Sequence, residues 1–172
     1  MIDNFNDKSG VLLQGHIKIH NPESGEILVD KRNAIHYENM SISLAESLAN
    51  QGQGMVYSMA FGNGGTSVDP TGIITYLSPN STGHVSGTNY TDIIATCLLD
   101  YGEPSGQDAL DNATGSDSLY VFDELGLVSY ATSGTGRLLT HVIFHPVQKS
   151  LNRLIQIDYT VRVQSLTGFN EA

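Results

Sequence analysis

Between Arg153 and Val163 the chain alternates, without a break from Ile155 on. Arg153, Ile155, Ile157, Tyr159, Val161 and Val163 fall on one side, and Gln156, Asp158, Thr160 and Arg162 on the other. A two-residue period marks a strand with one face in a core and the other facing water or polar neighbours. Two apolar segments precede it, Phe122–Leu127 and Leu138–Pro146. Three such segments in a row predict an antiparallel β scaffold, and no catalytic group is attached to them.

Earlier segments extend the pattern. Leu13–His20 and Glu26–Asp30 flank Asn21-Pro-Glu-Ser-Gly25, a hairpin signature in which Pro22 presets φ and Gly25 supplies a positive φ. Ile17 and Ile19 should face the core, with His16, Lys18 and His20 outside. Met55–Phe61 and Ile73–Leu77 read as strands. Thr91–Leu99 is apolar on both faces and reads as a central strand. One helix is expected over 40–50, capped by Asn39 and stopped near Gly52. Met40, Ile42, Leu44, Ala45, Leu48 and Ala49 form its wide apolar stripe, and Ser43, Glu46, Ser47 and Asn50 its polar strip. Long loops are expected at 62–72, 78–90 and 101–118. The predicted architecture is mainly β: an antiparallel β-sandwich or jelly-roll-like domain over 13–164 with one α-helix. A flexible or partner-ordered arm (1–12) and a tail (165–172) flank it.

Composition narrows the function. Eight basic against eighteen acidic residues give a net charge of −10. A nucleic-acid groove needs clustered Lys and Arg, so no nucleic-acid partner is expected. No run of 18 apolar residues exists, so no membrane-spanning helix is expected. The first residues lack the basic start and apolar core of a signal peptide, which predicts synthesis in the cytoplasm. Sequons begin at Asn39, Asn80, Asn89 and Asn112 and are read as products of composition. Charged residues make up only 15%. Polar, uncharged surfaces of this kind can be buried against other proteins without stranding charges.

Candidate chemistry is thin. Cys97 lies in an apolar strand and reads as a buried, inert thiol. The glycine loop at 62–72 lacks the lysine of a phosphate-binding loop. His16/His20 and His141/His145 share an i, i+4 spacing, but on a strand that is about 13 Å, too far for one metal. A meeting of His141 with His16 across strands stays open. So does a structural calcium in the acidic loop 108–117. Asp123 and Glu124 are adjacent in a strand and so point to opposite faces; a carboxylate there is expected to pair with Arg137 or Arg153. No cofactor, metal site or catalytic set is nominated, and an enzyme is not expected.

The block Gly15–His36 (GHIKIHNPESGEILVDKRNAIH) resembles the opening of uncharacterised virion structural proteins of tailed bacteriophages of the marine and T4-like groups. The likeness returns at Phe61-Gly-Asn-Gly-Gly, Val68–Tyr76, Leu99–Gly106 and Phe122–Leu127, spanning most of 13–163. The last two segments are similar, more weakly, to phage tail-collar and fibre-attachment domains. The resemblance implies a non-enzymatic particle component at the neck, tail, collar or fibre attachment, with capsid decoration as the near alternative. The implied partners are other virion proteins and further copies of the chain, in a trimer or higher ring. Expected contact residues are Phe5 in the arm, Met40, Leu44 and Leu48 on the helix, and Asn63, Val68, Tyr76 and His84 in the loops. Two readings of other classes stand beside it. One is a carbohydrate-binding module for host-surface glycans, using Tyr76, Tyr90 and Tyr101. The other is a hydrolase of cell-wall polymers, for which no convergent carboxylates can be named.

Overall fold

The hairpin that opens the chain sets the frame. In the computed structural model β1 (Gly10–His20) and β2 (Ile27–Ile35) pair antiparallel from Gly15↔Asn33 to His20↔Ile27. The turn forms as its residues dictate. The Asn21 side-chain carbonyl accepts the Glu23 and Ser24 amides, and Gly25 adopts φ +74°. The structure describes residues 10–62, 73–77, 81–86, 89–101, 103, 119–130, 136–150 and 152–166; side chains at 73–77, 81–86 and 119–120 are outside that description.

After α1 (Tyr37–Leu48) come β3 (Val56–Gly62), β4 (Ile73–Leu77), β5 (Ser81–Ser86), β6 (Tyr90–Leu99), β7 (Leu119–Ser129), β8 (Thr140–Ser150) and β9 (Ile155–Leu166). The strand order is β4-β3-β7-β8-β2-β1-β9-β6-β5, and every ladder is antiparallel. The two ends of this order, β4 and β5, are consecutive in the chain. The link from Leu77 to Ser81 spans at most about 14 Å, so the sheet folds round until its edges nearly meet. The result is the expected mainly β, sandwich-like architecture. One layer is β2-β1-β9-β6-β5 and the other β4-β3-β7-β8. β2 belongs to both, pairing with β1 along most of its length and with β8 only at Ala34↔His141 and Ile35↔Thr140.

The core fills the space between the layers. Ile17, Ile19, Ala95, Cys97, Leu99, Ile155, Ile157, Tyr159 and Val161 face Met59, Phe61, Phe122, Leu125, Leu127, Leu139, Val142 and Val147 in one continuous cluster. Phe61, Phe122 and Phe144 meet edge to face, at 5.3 Å and 5.8 Å between centroids, a geometry aromatic rings favour. The alternation of β9 is realised: Ile155, Ile157, Tyr159 and Val161 are buried while Gln156, Asp158 and Thr160 are only partly covered. β6 lies between β9 and β5, as a central strand should.

Several boundaries differ from expectation. β1 begins at Gly10 and β9 runs to Leu166, because the two pair from Gly10↔Leu166 onward. Residues 10–12 and 165–166 are therefore strand, not arm and tail. Ser81–Ser86, expected in a loop, is an edge strand paired with β6. β8 does not end at Pro146. Between Phe122↔Val147 and Glu124↔Ile143 the register shifts, and a proline is tolerated at such a bulge because no ladder N–H is needed there.

The helix starts at Tyr37 rather than Met40. His36 is the N-cap without a side-chain bond, and Asn39 donates its amide to the Leu138 carbonyl. The C-terminal stop is Asn50, not Gly52. Asn50 takes φ 56°, with Gln51 N–H donating to Glu46 O and Asn50 N–H to Ser47 O, a Schellman closure.

Candidate interaction surfaces

The helix presents a different face to the body than its polarity suggests. Met40 and Ser43 are buried, Leu44 is half-buried against the core, and Leu48, Ala45 and Ala49 are exposed. The chain packs closely on this edge: Gly54 lies so near the Ser43 backbone carbonyl that a Cβ on residue 54 would be 2.0 Å from it, so only glycine fits there. Of the expected contact residues on the helix, Met40 is thus core, Leu44 packs partly on the core, and Leu48 is free at 89% exposure. Tyr37, about three turns away on the same side, is 79% exposed.

The chain returning from the helix adds to this end of the molecule. Met55 and Tyr57 are about half exposed, and Tyr57 packs edge to face on Tyr130 at 4.9 Å. Tyr130 N–H donates to the Met55 carbonyl, and Arg137 reaches Glu46 of α1 at 2.8 Å. Tyr37 and Leu48 on α1, Met55 just before β3 and Tyr57 on it are exposed large apolar side chains; Val11, Ile27 and Tyr101 are comparably exposed elsewhere.

The outer face of β2-β1-β9-β6 is polar and ordered by cross-strand pairs. His16 meets Asp30 at 2.7 Å. His20 meets Asp158 at 3.0 Å, and Thr96 and Gln156 also donate to that carboxylate. Burial alone would raise the Asp158 pKa; the bonds from Gln156, His20 and Thr96 outweigh it and hold the group below its ordinary value. Arg162 clasps Asp92 through two bonds of 2.7 and 2.8 Å, which lowers the Asp92 pKa, and its guanidinium lies 3.9 Å above the Tyr90 ring. A groove of about 390 Å³ opens here between Gln14, His16, Arg32, Thr160 and Arg162. Arg137, Arg153 and Arg162 each hold a carboxylate; Arg32 holds none among the described residues.

A second opening lies where β2 leaves β8. Leu28, Val29, Asp30 and Lys31 on one side and Ile143, Phe144 and His145 on the other line a cleft of about 460 Å³. Lys31 Nζ crosses it to donate to the Ile143 carbonyl at 2.7 Å.

The histidines do not gather. His141 bonds Glu124 at 2.8 Å within the β7–β8 layer, and His16 stays with Asp30 in the other, so the two do not meet. Among the described residues no three His, Cys, Asp or Glu side chains converge as a metal site. Glu124 takes His141 rather than either arginine; Arg137 holds Glu46 and Arg153 holds Glu26. Cys97 is buried, and burial, with the Glu103 charge, pushes its thiol up to about 12. Lys149 is buried as well. Burial lowers its pKa against the opposing pull of Glu103 and Asp100, and its ammonium donates to the Ser150 carbonyl.

The tyrosines expected to stack on sugars do not form a platform. Tyr90 and Tyr101 sit at opposite ends of β6, Tyr90 under Arg162 and Tyr101 donating to Glu23 at 2.8 Å. Tyr76 holds a ladder position opposite Ala60 and His84 one opposite Ile93; their side chains, with Phe5, Asn63, Val68 and the acidic loop 108–117, lie outside the described residues. Sequence reasoning missed Arg32, the β2–β8 cleft, and the Tyr37, Met55 and Tyr57 surface. Each depends on which strands separate and which edge of the helix turns inward, and no local pattern encodes either. No protein-family model, curated protein or solved structure matches the chain.

Proposed function

We propose that this chain is a non-enzymatic structural component of a tailed-bacteriophage particle. It assembles as a homo-oligomer and docks on other virion proteins at the neck, tail, collar or fibre attachment. The observation that carries the assembly reading is the exposure of Tyr37 and Leu48 on α1 and of Met55 and Tyr57 where the chain enters β3, on an acidic chain with few charged residues. Exposed large apolar side chains mark a protein contact where they form a contiguous patch. The likeness of Gly15–His36 to phage virion proteins supplies the context. Capsid decoration uses the same surfaces and is the alternative position. Antibodies raised against the purified chain and applied to purified tailed particles test the proposal. Labelling at one fixed location supports it, and that location separates neck or tail from capsid. Particles that carry none of the chain would refute it.

A second reading is favoured by one observation. The groove lined by Gln14, His16, Arg32, Asp92, Thr160 and Arg162 holds one arginine, Arg32, that pairs with no carboxylate among the described residues, while Arg162 holds the Asp92 carboxylate; Arg32 beside hydroxyl and amide groups is a donor set suited to an acidic sugar. Saturable binding on a glycan array that Arg32→Ala abolishes would move the assignment to a glycan-binding module.

A further inference from the structure

We propose that the groove between Arg32 and Arg162 binds a sugar carboxylate at two points, with Arg162 as the specificity-determining contact. This rests on the glycan-binding reading above and specifies how the ligand is held.

Cross-strand rows build the groove. Arg32, His16 and Thr160 are ladder partners in one row, and Gln14, Arg162 and Asp92 in the next. Arg32 and Arg162 stand two strands and two residues apart, which places their Cα atoms about 12 Å from each other. Both line the same space of about 390 Å³, at the small end of ligand pockets. His16 is bonded to Asp30, the ladder partner of Lys18 in the row beyond. The charge inside the groove is therefore set by the two arginines and Asp92.

That charge calls for an anion. Carboxylates outnumber Lys and Arg by eighteen to eight on this chain, yet Arg32 has none beside it among the described residues. Arg162 is the fixed half of the site. Its Nε and Nη2 donate to the two Asp92 oxygens at 2.7 and 2.8 Å, and its Cζ lies 3.9 Å from the centre of the Tyr90 ring. A guanidinium carries five N–H donors, of which Asp92 takes two. The edge formed by Nη1 and the second Nη2 hydrogen has no partner among the described residues. It is a second fork of the shape that a carboxylate matches. Asp92 and Tyr90 already hold its orientation, so little rotamer freedom is lost when a ligand docks. Asp92 also offsets the Arg162 charge, which leaves Arg32 to draw the anion in. With the carboxylate between the two arginines, Thr160 and Gln14 remain to meet ring hydroxyls.

Amide chemical shifts of the isotope-labelled full-length chain, titrated with galacturonate, galactose or sodium sulfate at constant ionic strength, test this. Galacturonate should give saturable shifts at Gln14, His16, Arg32, Thr160 and Arg162, and galactose none. Arg162→Lys keeps the charge and removes the fork. It should weaken galacturonate binding at least about tenfold while the melting temperature is unchanged. Asp92→Asn makes the groove more positive but releases Arg162. Binding weaker by about threefold or more is the expected result, and tighter binding would reveal plain charge attraction and overturn the two-point contact. Binding that Arg32→Ala abolishes but Arg162→Lys leaves within about twofold overturns the role of Arg162 and leaves the glycan reading standing. Sulfate that binds as tightly as galacturonate overturns the sugar carboxylate. No shift with galacturonate overturns this proposal, and an array without any Arg32-dependent glycan overturns the glycan reading as well.

Discussion

Asp158 receives hydrogen bonds from Gln156, His20 and Thr96 on the outer face of β9, and its pKa in the folded chain is lower than its ordinary value. A carboxylate with a depressed folded pKa binds fewer protons than its unfolded counterpart. Its contribution is therefore complete above the unfolded value near 4 and is lost as the pH falls through the folded one. Urea unfolding followed from pH 7 to pH 3 should show a loss of stability below about pH 4 that is shallower in Asp158→Asn. Tyr159 carries the opposite problem. It is fully buried, its hydroxyl has no bonding partner in good geometry among the described residues, and burial raises its pKa against the partial relief of Thr140. Tyr159→Phe removes that hydroxyl and keeps the ring. Thermal unfolding should show stability unchanged or raised by up to about 1 kcal/mol. The inward position of Tyr159 was legible from the alternation alone. Its want of a partner was not, nor was the His20–Asp158 pair, since those residues are 138 positions apart and meet only through the β1–β9 register.

Elements with a strong period were read well, and those held by long-range contacts were not. β9, β6 and the β1–β2 hairpin follow directly from alternation and turn residues. β5 has no apolar alternation and exists because β6 offers it a ladder. The period of α1 is legible but its buried face is not: polarity points Ser43 outward, whereas Ser43 is buried and its backbone carbonyl packs against Gly54. At the end of α1 the left-handed position belongs to Asn50, a residue that occupies it at some cost. Asn50→Gly should stabilise the chain by about 0.5–1 kcal/mol, as read from the denaturant midpoint at unchanged m value.

In the whole molecule, a sheet that nearly closes on itself leaves three surface features: the exposed apolar side chains on α1 and at the entry to β3, the polar groove around Arg32, and the cleft between β2 and β8. Of these only Leu48 on the helix is legible from the sequence. Of the helix residues expected at a contact, Met40 is buried in the core, Leu44 packs partly on it and Leu48 is exposed. If the α1 end is a subunit contact, Leu48→Asp should shift the purified chain toward monomer while its melting temperature as a monomer stays within a few degrees, because an 89% exposed side chain contributes little to the core. The most direct test of the proposed self-association is the mass in solution of the full-length chain by size-exclusion chromatography with light scattering. A defined species of three or more copies is the predicted result, and a monomer that persists at high concentration would contradict it.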